Sequence, residues 1–471
     1  MTIKIKRQLA GLTLSLLCLL GFIACEAPPQ QQPSVTTANA NAAVPATAAN
    51  TNSIAPTPAA APSAANEDLA ITFPVLDAFF ADDSFASELK SKLQMSDEQV
   101  TKLRAMARAE TAKLREGEAE ERGGSTGAAH ALYAEKSAAE LGQDKARQLS
   151  ELIRTRWSEG NAVLSGDKPN AVPTDTRIVV NAPAYRMDVF DNGRLVKSYK
   201  IGIGYPEFPL PSGMRQATSI IFNPTWTPPD EPWVESSNEV KVGQKVEAGS
   251  KLNPLGVIKI PIGMPSLIHG GKLPARLGGF ASHGCVGLTD KQVQEFSQLL
   301  GQLGGAQISP EDVAQYEGNR TETKNLKLEK PVPVDLRYET IVAEDGRLHI
   351  YRDVYDRGTN TEENLRSVFE AQGLSLDELA EGEKTRIMNA LQKMARGATG
   401  KLVEPNQTPT PAANNNARQN ANESDKVTRN IKGEKEIILE IAALKGKGYP
   451  APVDLNTGGA PAAQRKAVAK R

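Results

Sequence analysis

The chain is poor in cysteine, histidine, aromatic side chains and net charge. Its 471 residues hold three cysteines, four histidines and 5% aromatics, with 55 basic against 56 acidic side chains. A balance that close to neutral gives no electrostatic footprint for nucleic acid, so no nucleic-acid partner is expected. The basic ending "AAQRKAVAKR" reads as a solvated terminus. Long apolar runs are also scarce. The run from Leu9 to Ala24 falls short of the roughly 20 residues that cross a bilayer of about 30 Å, which argues against a transmembrane helix there.

Preceded by Lys4, Lys6 and Arg7, that run reads instead as a secretory signal peptide. It ends in "GFIAC", similar to a bacterial lipobox, in which Cys25 becomes the lipidated first residue; ordinary signal cleavage nearby is the alternative. Glu26 is unlike the usual aspartate of inner-membrane retention, so outer-membrane anchoring is favoured if the cell is Gram-negative. The expected location is exported, moored by lipid and facing the periplasm or cell wall. Cys18 then leaves with the signal and Cys25 is acylated, so Cys285 remains as an unpaired thiol where disulfides are the ordinary fate. A leftover cysteine of this kind points to a reactive thiol or intermolecular pairing, with a buried inert thiol as the bland alternative.

The expected order is signal peptide 1–25, disordered tether 26–66, helical region 67–166, β-rich domain 174–357, helical segment 360–400 and a low-complexity, largely disordered tail 401–471. The tether carries almost no charge or large apolar side chain and cannot offset the entropy of folding. In the helical region Ser96 and Gln99 form a capping-box signature, after which Val100, Leu103, Ala107 and Leu114 recur on one face. From Thr174 the pattern becomes β-rich, and Asn192-Gly193 between two runs is a hairpin signal. Further strands are expected near Ala217–Phe222, Val257–Ile260 and Ser266–Ile268, with a pair around Glu344-Asp345-Gly346 and a helix over "KQVQEFSQLLGQLG". Helices are expected at Glu362–Gly373 and Ser375–Ala395, and the apolar island "EKEIILEIAALKGKGYP" has no assigned role. The fold class is α+β: a mostly-β sandwich or barrel flanked by helices and disordered linkers.

Two of the four histidines, His269 and His283, lie near Cys285. An imidazole within hydrogen-bond reach can activate a thiol. Gly284 lets backbone approach a substrate, and the Gly284 and Cys285 amides are candidate oxyanion donors. Zinc is not expected, because His269, His283 and Cys285 lack the usual ligand spacing.

"IHGG" followed by "ASHGCVGL" resembles the signature of L,D-transpeptidases with the YkuD fold, and the likeness extends through "RIVVNAPAYRMDVFDNGRLVKSYKIGIG", "NPTWTPP" and "VPVDLRYETIVAEDGRLHIYRDVYDRG". The resemblance implies that Cys285 attacks a tetrapeptide stem of peptidoglycan and that His269 is the base. It also implies that Gly270 orients the imidazole and that Ser282, His283 and Gly284 support the site. No metal or organic cofactor is implied. One departure stands out: the family usually has Arg or Asn two residues after the cysteine, and this chain has Gly287. Arg276, in the intervening loop, is the expected substitute and a substrate-binding candidate. Two alternatives stay open: a cysteine hydrolase, in which water resolves the thioester, and a non-catalytic wall-tethering lipoprotein.

Overall fold

The structure is a computed structural model that describes residues 70–80, 82–114, 125–157, 168–228, 239–263, 265–306, 308–403 and 430–455. The expected signal peptide, Cys25 and the tether lie outside the described residues. No helix among the described residues is long and apolar enough to cross a membrane.

The first five helices are α1 Phe73–Phe79, α2 Asp83–Leu93, α3 Asp97–Thr111, α4 Thr126–Leu141 and α5 Gln143–Trp157. Ser96 and Gln99 form the expected capping box at the start of α3. Val100, Leu103 and Ala107 bury the expected face, whereas Leu114 lies past the end of α3 and packs on the β-domain core instead. Phe73, Leu76, Phe85, Leu103, Leu149 and Trp157 belong to a core that the helices build for themselves.

The β region runs β1 Arg177–Asn181, β2 Arg186–Asp191, β3 Arg194–Lys200, β4 Gly202–Gly204, β5 Gly213–Phe222, β6 Ile258–Pro261, β7 Leu267–His269, β8 Gly279–Ser282, β9 Val286–Gly287 and β10 Lys324–Arg337. These strands form one mixed sheet in the order β3-β2-β1-β10-β5-β6-β7-β9-β4-β8. Asn192 and Gly193 both have positive φ, at 47° and 79°, and join β2 to β3 in a tight hairpin, as their dipeptide predicts. A single apolar cluster draws side chains from all ten strands, among them Ile178, Met187, Tyr199, Ile203, Ile220, Ile258, Ile268, Phe280, Val286 and Val334. The sheet therefore curls around one core. Helix α6, Asp290–Leu303, adds Val293, Phe296 and Leu300 to that cluster, and α7, Pro310–Gly318, follows it. The α+β class stands.

The strands β11 Ile341–Glu344 and β12 Arg347–Tyr351 leave that sheet for a second one, completed by β13 Glu436–Glu440 in the order β11-β12-β13. Helices α8 Glu362–Ala371 and α9 Glu381–Met394 cover it through Leu365, Phe369, Leu391 and Met394. The expected helix Ser375–Ala395 is split, with a short 3-10 turn at Leu376–Glu378 before α9.

The expectation of a disordered tail over 401–471 is corrected for residues 430–455. Ile441 and Leu444 are buried in the small domain's core, and β13 pairs with β12 along its length. Beyond it, Val453 and Ser198 exchange hydrogen bonds, Ser198 N to Val453 O at 2.9 Å and Val453 N to Ser198 Oγ at 3.1 Å, at the outer strand β3. The unassigned apolar island thus holds the third strand that a two-stranded hairpin needs.

The helical region grips the β domain at the loop of residues 205–210 and at Asp356. The buried Thr72 hydroxyl donates to Glu207 O at 2.8 Å, and the buried Thr126 hydroxyl donates to Pro206 O at 2.6 Å. Asp356 receives the Gly127 amide at 3.2 Å from the first turn of α4. Thr126→Val keeps the shape and strands a buried carbonyl without a donor, so it should cost about 1–3 kcal/mol in urea unfolding. A change within error would show that this bond does not hold the two parts together.

Candidate active site

Strands β7 and β9 run parallel as neighbours, with Ile268 opposite Val286 and His269 opposite Gly287. Cys285 immediately precedes β9 and receives a hydrogen bond from the Leu267 backbone. It therefore stands beside β7 two residues from His269, and the period-two alternation of a strand puts the two side chains on one face. The ladder continues past the strands: Leu288 N donates to His269 O at 2.8 Å and Lys272 N donates to Leu288 O at 3.0 Å.

His269 is almost fully buried, and its Nδ1 lies 2.8 Å from Gly270 O. Burial, assisted by the charge of Lys272, pushes its pKa down to about 3, against the opposing pull of hydrogen bonds that the ring donates to the Gly270 and Leu255 backbone. The imidazole is neutral at any physiological pH. Cys285 is half-buried and unpaired. Desolvation pushes its thiol up, while the Leu267 hydrogen bond and the Lys272 charge pull it down. At rest the pair is a neutral thiol beside a neutral imidazole rather than a standing thiolate–imidazolium pair. A neutral imidazole can accept a proton during attack.

Ser282, at the end of β8, closes the turn that presents the cysteine. Its hydroxyl donates to Cys285 O at 2.6 Å and accepts from Cys285 N at 3.0 Å. The Cys285 amide is thus committed to this turn, which corrects its assignment as an oxyanion donor and leaves the Gly284 amide as the candidate. Gly284 has φ 91°, a conformation that suits glycine, and its carbonyl accepts from the buried Ser266 hydroxyl at 2.8 Å. His283 does not sit with His269 on β7. Its ring meets Phe208 and Tyr205 edge-on, at centroid distances of 4.6 and 5.2 Å. Those aromatics belong to the loop that the helical region grips, so a chain of contacts leads from Thr72 and Thr126 to the cysteine turn.

Arg276 donates to Tyr205 Oη at 3.2 Å. Lys272, not Arg276, lies over Gly287: a Cβ added at residue 287 would stand 2.8 Å from Lys272 Cγ and 3.0 Å from its Cε. The side chain beside Gly287 is therefore Lys272 rather than the expected Arg276. Among the described residues, no group of three or more His, Cys, Asp or Glu side chains is placed to hold a metal.

Several residues that shape the site escaped the sequence reading. Asp290, at the start of α6, accepts from Gly271 N at 2.7 Å and from Val257 N at 3.3 Å, tying down the loop that follows His269. Its place after Thr289 marks a helix start and reveals nothing of the loop it holds. Ser266, Tyr205, Phe208 and Lys272 carried no signal beyond their residue types.

Residues 175–321 match the family model described as YkuD, the L,D-transpeptidase catalytic domain. The chain carries a YkuD domain. No curated protein sequence matches the chain. Among solved structures, the L,D-transpeptidase catalytic domain of Enterococcus faecium is 19% identical, covers 35% of this chain and 98% of its own, and has a TM-score of 0.23. The avibactam carbamoyl enzyme is 16% identical, with a TM-score of 0.21, over 36% of this chain and 50% of that one. An L,D-transpeptidase from Mycobacterium smegmatis is 16% identical, with a TM-score of 0.20, over 34% of this chain and 58% of that one. This chain thus spans only about half the length of the longer structures it matches. The assignment of the YkuD domain rests on the family match and not on these superpositions.

The buried imidazole of the YkuD domain makes stability depend on pH. Its folded pKa lies below its ordinary value of 6.5, so below pH 6.5 the unfolded chain takes up a proton that the folded chain refuses. Stability should be level above that pH and fall on acidification towards pH 3. His269→Gln removes this slope. Between pH 7 and pH 4.5, urea unfolding of the variant should lose about 1–3 kcal/mol less than the wild type. Parallel losses would mean that the imidazole is not held neutral.

Proposed function

We propose that the YkuD domain of this chain is a working L,D-transpeptidase acting on tetrapeptide stems of peptidoglycan. Cys285 Sγ attacks the carbonyl of the bond between the diamino acid and D-alanine. His269 takes the thiol proton as the C–S bond forms and passes it to the departing D-alanine amine as the C–N bond breaks. An acceptor amine then attacks the thioester, His269 receives its proton, and the thiol is restored as the C–S bond breaks. One peptide bond is exchanged for another, so no nucleotide is consumed.

The observation that carries this reading is the β7–β9 register, which brings a neutral imidazole and a half-buried free thiol onto one sheet face inside the family-matched segment. Deprotonation coupled to attack suits a thiol whose pKa is raised by burial. The Gly284 amide is the candidate donor to the tetrahedral oxyanion. Related enzymes are described as acylated by ertapenem and as carrying a faropenem-derived adduct, so the same chemistry serves as a probe here.

Incubation with ertapenem should add one drug mass to the peptide that carries Cys285, and Cys285→Ala should abolish the adduct. Incubation with disaccharide-tetrapeptide should release D-alanine and yield dimers. Tripeptide without dimer would favour the hydrolase, and neither product nor adduct would reject the enzyme in favour of a wall tether.

On the same reading the chain is exported and moored through Cys25, with the residues up to 66 as its tether. Cys25→Ala should move the protein from the membrane pellet to the soluble fraction of lysed cells. An unchanged distribution would remove the lipid anchor from the proposal.

A further inference from the structure

The loop after His269 holds a charge that neither the sequence reading nor the reaction above uses. Lys272 is fixed at its backbone, where its N–H donates to Leu288 O at 3.0 Å, and its side chain then turns across Gly287. Its Cγ, Cδ and Cε would lie 2.8, 3.4 and 3.0 Å from a Cβ at residue 287, so any other residue there would displace the stem. Gly287 does not have positive φ. Room, rather than backbone conformation, is what this glycine supplies. The Lys272 charge acts on both members of the pair, opposing protonation of His269 and favouring the ionised form of Cys285.

We propose that Lys272 is the positioning cation of this site: packed in the space left by Gly287, its ammonium stabilises the negative charge that develops on Cys285 Sγ during attack. Lys259 on β6 stands across the ladder from His269, but the charge felt by both His269 and Cys285 is that of Lys272. Asp290 on α6 accepts the Gly271 and Val257 amides, Arg276 donates to Tyr205, and the His283 ring lies against Tyr205 and Phe208. The stem explains the glycine: the space over residue 287, two residues along β9 from Cys285, is where the lysine side chain crosses.

The proposal rests on Cys285 as the nucleophile, yet its test needs no turnover. Full-length protein is alkylated with iodoacetamide, a probe without charge, and the rate is read across pH on the peptide that carries Cys285. The thiolate displaces iodide and the thiol proton goes to solvent, so the midpoint reports thiol ionisation. Lys272→Met should raise that midpoint by about one pH unit and slow alkylation near pH 7 by about tenfold. Lys272→Arg should stay close to wild type. The decisive variant pairs Lys272→Ala with Gly287→Arg, which vacates the stem's space and returns the charge from the opposite strand. It should recover most of the alkylation rate lost in Lys272→Ala alone. Alkylation of Lys272→Met that superimposes on wild type would overturn the proposal, as would a folded double variant no faster than Lys272→Ala. If tetrapeptide turnover fails while the midpoint shifts as expected, the reaction is wrong and the cation stands. If turnover succeeds with an unmoved midpoint, the reverse holds.

Discussion

The parallel pairing of β7 with β9 is the constraint on which the site depends. These strands are only three and two residues long, yet they carry the histidine and follow the cysteine directly. Parallel neighbours require a crossover, and here the connection includes β8, which pairs with β4 on the far side of β9. The glycine-rich loop between His269 and Cys285 is the price of that crossover. Asp290 and Ser282 stiffen its two ends, one through the Gly271 amide and the other through both backbone groups of Cys285. A slip of one residue in this register would turn either side chain to the other face.

Burial sets the protonation state that this geometry holds. The desolvation that keeps His269 neutral also keeps Cys285 protonated. A low local dielectric disfavours an ion pair at rest and strengthens any fixed charge nearby. The stem of Lys272 runs through the gap at Gly287 and brings such a charge to the site without lengthening either strand.

The helical region belongs to the same mechanical system. It has its own core, so it does not need the β domain to bury its apolar faces. Beside the packing of Leu114, what it shares with that domain is directional: two threonine hydroxyls set at the loop that carries Tyr205 and Phe208 against His283, and one amide donated to Asp356. The small C-terminal sheet is joined to β2 through the buried ion pair of Glu344 with Arg186, whose guanidinium also pairs with Asp188 on its own strand. Such pairs are directional and costly to separate, so they fix orientation more than they add stability.

Local patterns in the chain sufficed to determine the capping box at Ser96, the Asn192-Gly193 hairpin, the run of short strands and the contiguous Ser-His-Gly-Cys run. Each of these depends on neighbours a few residues apart, which is the range over which propensity and periodicity act. Tertiary structure alone decided that β13 completes a sheet begun more than 80 residues earlier, that Cys285's own amide is taken by Ser282, and that the cation over Gly287 is Lys272 and not Arg276. In each case the partner is chosen by how a loop folds back in space. Spacing along the chain does not encode that path, because the glycines that allow a loop to turn do not fix which side chain it delivers.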